Sequence, residues 1–300
     1  MEALGLPDAI AVVETYAAFG GVPRYWALMK ERGYTSAAEA LCRMVLSPQG
    51  VLHEEPDRIL RDEEAASLER AVCELIGRGA CRPTEIGGRI GVKETSLAKP
   101  LRHLVELGLI ERQAPYDFGD GRQVVGGRRA FYRLADPFLA MWHSCVRPNL
   151  SGLTVGAASA MDRFRAAWVH HLAAAWEDLC RKRWHRIGWM GWSWEPAGRW
   201  WSSRRADGTE WDVVSITADR KHVFLGEAKW HRHAAGTSVE TIVRAIGRKA
   251  MPPLPEGAEV HLGVFLPDAV EFAAGSPAIA FFDADAVLGG AVEIEDGAAF

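Results

Sequence analysis

Asp212, Glu227 and Lys229 are the residues of this 300-residue chain whose types and spacing could do chemistry. Glu227 and Lys229 stand two positions apart, so on a β-strand a carboxylate and an ammonium leave the same face. Asp212 opens the preceding strand-like run. A hairpin would bring it to the same end. Two carboxylates and an ammonium at one sheet edge make a site for a divalent cation with a cationic helper. Hard cations such as Mg²⁺ take oxygen ligands. Such an ion stabilises charge on a phosphodiester and lowers the pKa of an attacking water. Glu210, on the same strand face as Asp212, is a candidate auxiliary ligand. Spacing alone also describes a structural ion-pair set at a strand end, and both readings stand at this point.

The elements that must position these groups read as α, three strands, α, strand. In WDVVSITADRKHVFLGEAKW (211–230), WDVVSIT alternates polar and β-branched residues and HVFLGEAKW is a short apolar run ending in charge. Ala218–Lys221 is the expected turn. A long helix is expected over Arg163–Ile187, with Ala167, His171, Ala174, Ala175 and Leu179 on its buried side. Arg199–Trp201 reads as the first strand, joined to Glu210 by a turn through Arg204, Arg205, Asp207 and Gly208. Val239–Ala250 reads as a helix with Val243 and Ile246 facing the sheet, and with Arg244, Arg248 and Lys249 outward as a phosphate grip. Pro252-Pro253 ends it, and Val260–Leu266 reads as a buried strand. Residues 267–300 show strand-like pieces at AIAFFDADAV and AVEIE. Trp189, Trp192, Trp194, Trp200 and Trp201 have two readings, stacking on bases of a splayed strand or core with the indole N–H satisfied. Core is expected for most, with Trp200 and Trp201 open.

Asp212 followed by Glu227-Ala228-Lys229 resembles the D…(D/E)xK signature of the PD-(D/E)XK nuclease superfamily. The wider chain resembles the C-terminal region of the archaeal-type ATPase family (DUF234), through EEAASLERAVCELI, LRHLVELGLIER, YRLADPFLAMWHSCVRPN, WEDLCR, GRWW and EWDVV…FLGEAKW, over roughly residues 1–250. The resemblance implies an α/β restriction-endonuclease-like domain and a metal-dependent nuclease acting on nucleic acid, DNA before RNA. Asp212, Glu227 and the Ala228 carbonyl would hold Mg²⁺ or Mn²⁺. Lys229 would orient the water or stabilise charge on the phosphate. Glu177, in WEDLC, matches the helical Glu that accompanies these residues. Asp178 beside it points about 100° away around a helix, so one of the two faces the site.

The first half carries other signals. Ala9–Phe19 is apolar at helical spacing, Gly20-Gly21 stops it and Pro23 opens the next segment. In the resembling ATPases, a stretch like Gly20–Tyr25 follows the nucleotide-binding core. No GxxxxGK[ST] occurs here, so no ATP binding is expected; the ATPase would be a separate chain, or the protein a stand-alone relic of the architecture. Residues 47–58 read as a linker. Residues 59–135 read as a winged helix-turn-helix: Glu64–Ile76 with Leu68, Val72, Leu75 and Ile76 on one stripe, Thr84–Ile90, a third helix capped by Thr95 and running to Leu107, then wing strands at 109–112 and 130–134. The third helix offers Lys93, Lys99, Arg102 and His103, which suit phosphate contacts. The wing loop holds Arg122, Arg128 and Arg129. Pro100 argues that the third helix is kinked or starts later. A connector or dimerisation role fits this domain equally. Asp136-Pro137 ends the wing strand, Phe138–Val146 reads as a short helix and 149–160 as loop. The expected organisation is α+β multidomain: 1–58 helical segment and linker, 59–147 winged helix, 148–300 nuclease-like domain.

Composition agrees with a soluble protein: 48% hydrophobic and 25% charged residues. No apolar run is long enough to span a membrane, and the acidic N-terminus is no secretory signal. Five cysteines without CxxC spacing point to a reducing cytoplasm and to no cysteine zinc site. Net charge is −4, unevenly placed: residues 151–250 carry 16 Lys/Arg against 10 Asp/Glu, whereas 251–300 carry 9 Asp/Glu and no Lys/Arg. A basic catalytic segment suits a polyanion, and ordinary solvated surface explains it equally. Expected partners are nucleic acid and a separate ATPase subunit, with a homo-oligomer allowed and no membrane. A non-catalytic DNA-binding adaptor is the competing function.

Overall fold

A computed structural model describes residues 5–62, 67–119, 121–123, 131–202, 209–233, 237–270 and 279–289. The chain forms two compact units, residues 1–113 with 130–175 and residues 114–129 with 176–300.

The first unit opens with α1 (Ala9–Phe19), started by the Asp8 carboxylate accepting from the Ala11 amide, and α2 (Pro23–Glu31), with Pro23 in its first turn. α3 (Ala37–Ala40) runs into a π-helical turn over Leu41–Leu46, and α4 spans Glu55–Asp62. Residues 47–58 are therefore not a free linker. Leu52 is fully buried and its amide donates to the Met44 carbonyl at 2.9 Å. A Cβ on Gly50 would stand 2.4 Å from that carbonyl oxygen, so glycine marks a close approach rather than flexibility. Leu52, Phe19, Tyr25 and Met44 share one core with Phe138 and Trp142. The helical segment expected to stand apart as 1–58 thus folds together with later elements.

α5 (Ser67–Gly77), α6 (Pro83–Ile90), a 3₁₀ turn at Glu94–Leu97 and α7 (Ala98–Glu106) follow in the helix-turn-helix order. Val72 and Ile76 of α5 pack against Leu101 and Leu104 of α7 in a second core. Gly91, at φ 83°, closes α6. Thr95 does not cap the third helix, which starts at Ala98; Pro100 then falls in the first turn, where a missing N–H costs no helical bond. β1 (Ile110–Gln113) pairs antiparallel with the second wing strand, Phe131–Leu134. Between them β2 (Tyr116–Asp117) and β3 (Arg122–Gln123) form a small hairpin that belongs to the second unit; the wing strand itself is β4. α8 (Pro137–Met141) is capped by Asp136 and continues into a π-helical turn over Trp142–Val146. Residues 149–160 are not plain loop, since α9 (Leu150–Thr154) forms there and α10 (Ala158–Ile187) begins five residues earlier than expected. Ala174 is exposed, contrary to the expected buried stripe, while Leu172, Ala175, Trp176 and Leu179 are buried.

The second unit is built on a five-stranded sheet in the order β5-β6-β7-β8-β9. β6 (Glu210–Ile216) runs antiparallel to both its neighbours, β5 (Gly198–Trp201) and β7 (His222–Ala228). α11 (Thr237–Ile246) then crosses to β8 (Glu259–Phe265), which runs parallel to β7 and to β9 (Ile279–Phe282). Only the first part of AIAFFDADAV is strand: Asp283 caps α12 (Ala284–Leu288) instead. AVEIE lies outside the described residues.

Alternation along β6 and β7 divides the faces. Val214, Ile216, Val223 and Leu225 meet Val239 and Ile246 of α11. Phe224 faces the other way, stacked on Trp184 of α10 at 3.8 Å between ring centres. Room for that ring comes from two glycines paired across β7 and β8. A Cβ on Gly226 or Gly263 would stand 2.7 or 2.4 Å from it. Trp189, partly buried, and Trp194 join the same aromatic cluster, and Trp194 fits the core reading, buried with its indole N–H donating to the Trp189 carbonyl at 3.1 Å. Tyr116 and Phe118, in the stretch expected to be the free wing loop, are buried against the α11 face. Arg220 holds the Phe118 carbonyl at 3.0 Å.

Candidate functional site

The β6–β7 register sets Val213 opposite Gly226, so Asp212 and Glu227 meet at the end of the hairpin away from its turn. Both carboxylates are buried, 5% and 4% exposed, and a buried charge needs partners. The Lys229 ammonium supplies one to each, at 3.2 Å from Asp212 Oδ2 and 3.0 Å from Glu227 Oε2. The Ala228 amide donates to the same Asp212 oxygen at 3.1 Å. Arg181 of α10 donates to the Asp212 carbonyl at 2.8 Å. Burial works against the Lys229 ammonium, yet Asp212 and Glu227 outweigh it and push its pKa above that of an ordinary lysine.

Glu177 reaches this neighbourhood from α10. Burial first, then the Asp212 carboxylate, push it up to about 7; Arg199, Arg181 and Lys229 pull the other way. Asp178 faces elsewhere, paired with Lys182 at 2.7 Å and Arg181 at 3.8 Å.

Lys249 corrects the outward phosphate grip. α11 ends at Ile246, not Ala250, and the chain that follows turns Lys249 inward. Its ammonium pairs with Glu227 Oε1, donates to the Glu210 carbonyl at 2.6 Å and lies 5.0 Å from the centre of the Trp211 ring. Glu210, expected as an auxiliary ligand, is instead paired with Arg199.

The donor set is one of carboxylate oxygens, as a hard cation requires. Asp212 and Glu227 already converge on one cationic centre, the Lys229 nitrogen, so their chemistry fits Mg²⁺ or Mn²⁺. As they stand, Asp212, Glu227 and Glu177 do not all lie within 4.8 Å of one another.

Residues 142–242 match DUF234, described as archaea bacterial proteins of unknown function. Over that segment the chain is similar to the DUF234 family. It is also 24% identical over 250 residues to Uncharacterized protein MJECL04 of Methanocaldococcus jannaschii, covering 81% of this chain and 54% of that protein. The chain thus spans about half the length of that relative. No solved structure matches. The matched segment contains Glu177, Asp212, Glu227 and Lys229 but stops before Lys249.

Of the residues expected to contact nucleic acid, Lys93, Lys99 and Arg102 are exposed on the first unit, and Arg244 and Arg248 on the second. His103 is engaged otherwise: its Nδ1 lies 2.8 Å from the Oε1 of the buried Glu69. Arg128 and Arg129 lie outside the described residues, as do Arg204, Arg205, Asp207 and Gly208. Lys249 was expected on an outward phosphate grip and not at this site, and Arg181 and Arg199 had no expected role here. Trp211, beside Asp212, was the one signal pointing to a cation nearby.

Proposed function

We propose that this protein is a metal-dependent phosphodiesterase acting on nucleic acid, DNA before RNA, with the winged helix as a DNA-binding or connecting domain. The observation that carries the reading is the convergence of Asp212 and Glu227, from two strands, on the Lys229 ammonium. Asp212, Glu227, Glu177 and the Ala228 carbonyl would hold Mg²⁺ or Mn²⁺. The ion would supply charge stabilisation on the phosphate and a more acidic attacking water. Lys229 stays protonated at neutral pH, so it acts as a fixed positive donor toward the scissile phosphate and not as a base. Glu177, titrating near neutrality, holds or releases a proton at its carboxyl beside Asp212. Lys249 keeps the Glu227 carboxylate oriented.

A second reading, a non-catalytic DNA-binding adaptor partnering a separate ATPase, draws on the same contacts. Lysines already neutralise both carboxylates, as a structural ion-pair set would. A gel shift without metal, followed by addition of Mn²⁺, separates the two. Cleavage on addition supports the nuclease; unchanged binding across DNA and RNA substrates supports the adaptor. Cleavage that requires an added ATPase and nucleotide makes the protein the effector of a partner. All five cysteines are free thiols, which supports a cytoplasmic location. No helix among the described residues is long and apolar enough to cross a membrane.

A further inference from the structure

The far end of the same sheet carries a second constellation. His222 opens β7 and Glu259 opens β8, and the parallel register pairs them, with His261 opposite Phe224. By strand alternation all three side chains share the face of Phe224, opposite to that of Glu227. Five residues of strand separate His222 from Glu227, about 17 Å at strand rise. The cluster therefore plays no part in the Asp212 site.

Its donor atoms face one point. His222 Nδ1 lies 3.1 Å from His261 Nε2 and 3.4 Å from Glu259 Oε2, and His261 Nε2 lies 3.9 Å from Glu259 Oε1. Among the described residues, this is the group of His, Cys, Asp and Glu ligand atoms that all lie within 4.8 Å of one another. Two nitrogens on a tetrahedral zinc ion, each about 2.0–2.1 Å from it, stand about 3.3 Å apart. The observed spacing is close to that value. The imidazole planes are also held in place. Trp192 stacks on His222 at 3.8 Å, and Trp189 meets His261 edge-on at 5.5 Å. Glu259, by contrast, is 67% exposed at its side chain, so packing does not fix it as it fixes the two imidazoles.

We propose that His222, His261 and Glu259 form a binding site for a divalent transition-metal ion of the zinc class. Two imidazoles and one carboxylate suit Zn²⁺ or Co²⁺ and not Mg²⁺. Three protein ligands leave a fourth position open to solvent or to a donor from another molecule. The ion clips the starts of the parallel strands β7 and β8 together. It thereby stabilises the sheet by mass action.

Calorimetric titration of the untagged full chain with Zn²⁺, in excess Mg²⁺ to saturate the carboxylate site, tests this. The wild type is expected to take up one equivalent, and Co²⁺ in its place to give a visible d–d absorption band. Loss of a ligand weakens binding by at least the roughly 10–100-fold that outer-shell changes cost. E259A, at an exposed side chain, and H222N are expected to show that loss, while D212N keeps wild-type affinity. E259A, checked for native circular dichroism, decides the matter if H222N does not fold. A wild type that takes up no Zn²⁺, an E259A chain with unchanged affinity, or loss of uptake in D212N overturns the proposal. The first outcome would leave the two histidines as a plain N–H···N hydrogen-bonded pair.

Discussion

The ammonium of Lys249, three residues beyond the end of α11, donates to the carboxylate of Glu227, the next-to-last residue of β7. The pair ties the chain after the helix to the end of the β6–β7 hairpin, where Asp212 and Lys229 also meet. Charge-assisted hydrogen bonds of this kind are shorter and stronger than neutral ones, and Glu227 has almost no access to water to replace a lost partner.

K249M should therefore destabilise the second unit, because Glu227 would keep Lys229 alone. The expected cost is about 1–3 kcal/mol, the range for stranding a buried hydrogen-bonding group. Urea unfolding monitored by tryptophan fluorescence measures it. A midpoint equal to that of the wild type would mean that the ion pair is not held in solution.

Glu177 gives a pH dependence with a definite sign. Its carboxyl is raised from 4.5 to about 7, so between those values the folded protein holds a proton that the unfolded chain has released. Its contribution is fully present below 4.5 and is lost as pH rises through about 7, up to about 3 kcal/mol in all. Urea midpoints between pH 4 and pH 8 should fall more steeply in the wild type than in E177Q. Equal slopes in the two proteins would remove Glu177 from its buried position beside Asp212.

Lys99 and Arg102 on α7, and Lys93 just before the 3₁₀ turn that leads into it, are exposed to solvent. The triple variant K93A/K99A/R102A should weaken DNA binding uniformly across sequences. It should also flatten the salt dependence, by about one unit of slope per phosphate contact removed. H103A should leave binding unchanged and lower stability, because His103 serves Glu69. Gel shifts over a salt series read both effects. Unaltered affinity in the triple variant would assign the domain a connecting role.

Asp212, Glu227 and Lys229 were legible because strand alternation is a local rule: once two adjacent strands are recognised, their charged ends must meet. Glu177 was legible over Asp178 through its block resemblance, and α10 does separate the two. Lys249 was not, because the end of α11 depends on packing that no periodicity carries. Beyond the true end of a helix the 3.6-residue repeat no longer says which way a side chain points. Tyr116 and Phe118 were hidden for a similar reason. A two-residue strand inside a glycine-rich loop reads as an exposed wing until a sheet elsewhere in the chain offers it an apolar face. Leu52 sat in what composition marks as linker, and only the carbonyl of Met44 explains the glycine before it. The pairing of His222 with Glu259 and His261 needed the parallel register of strands separated by a whole helix.

Mn²⁺-dependent nicking of supercoiled DNA tests most directly whether Asp212 and Lys229 act together on a phosphodiester. The wild type should convert supercoiled to open-circular plasmid, and D212A and K229A should abolish the conversion while keeping the wild-type circular dichroism. A wild type that leaves the plasmid intact, or variants as active as the wild type, would contradict that joint action.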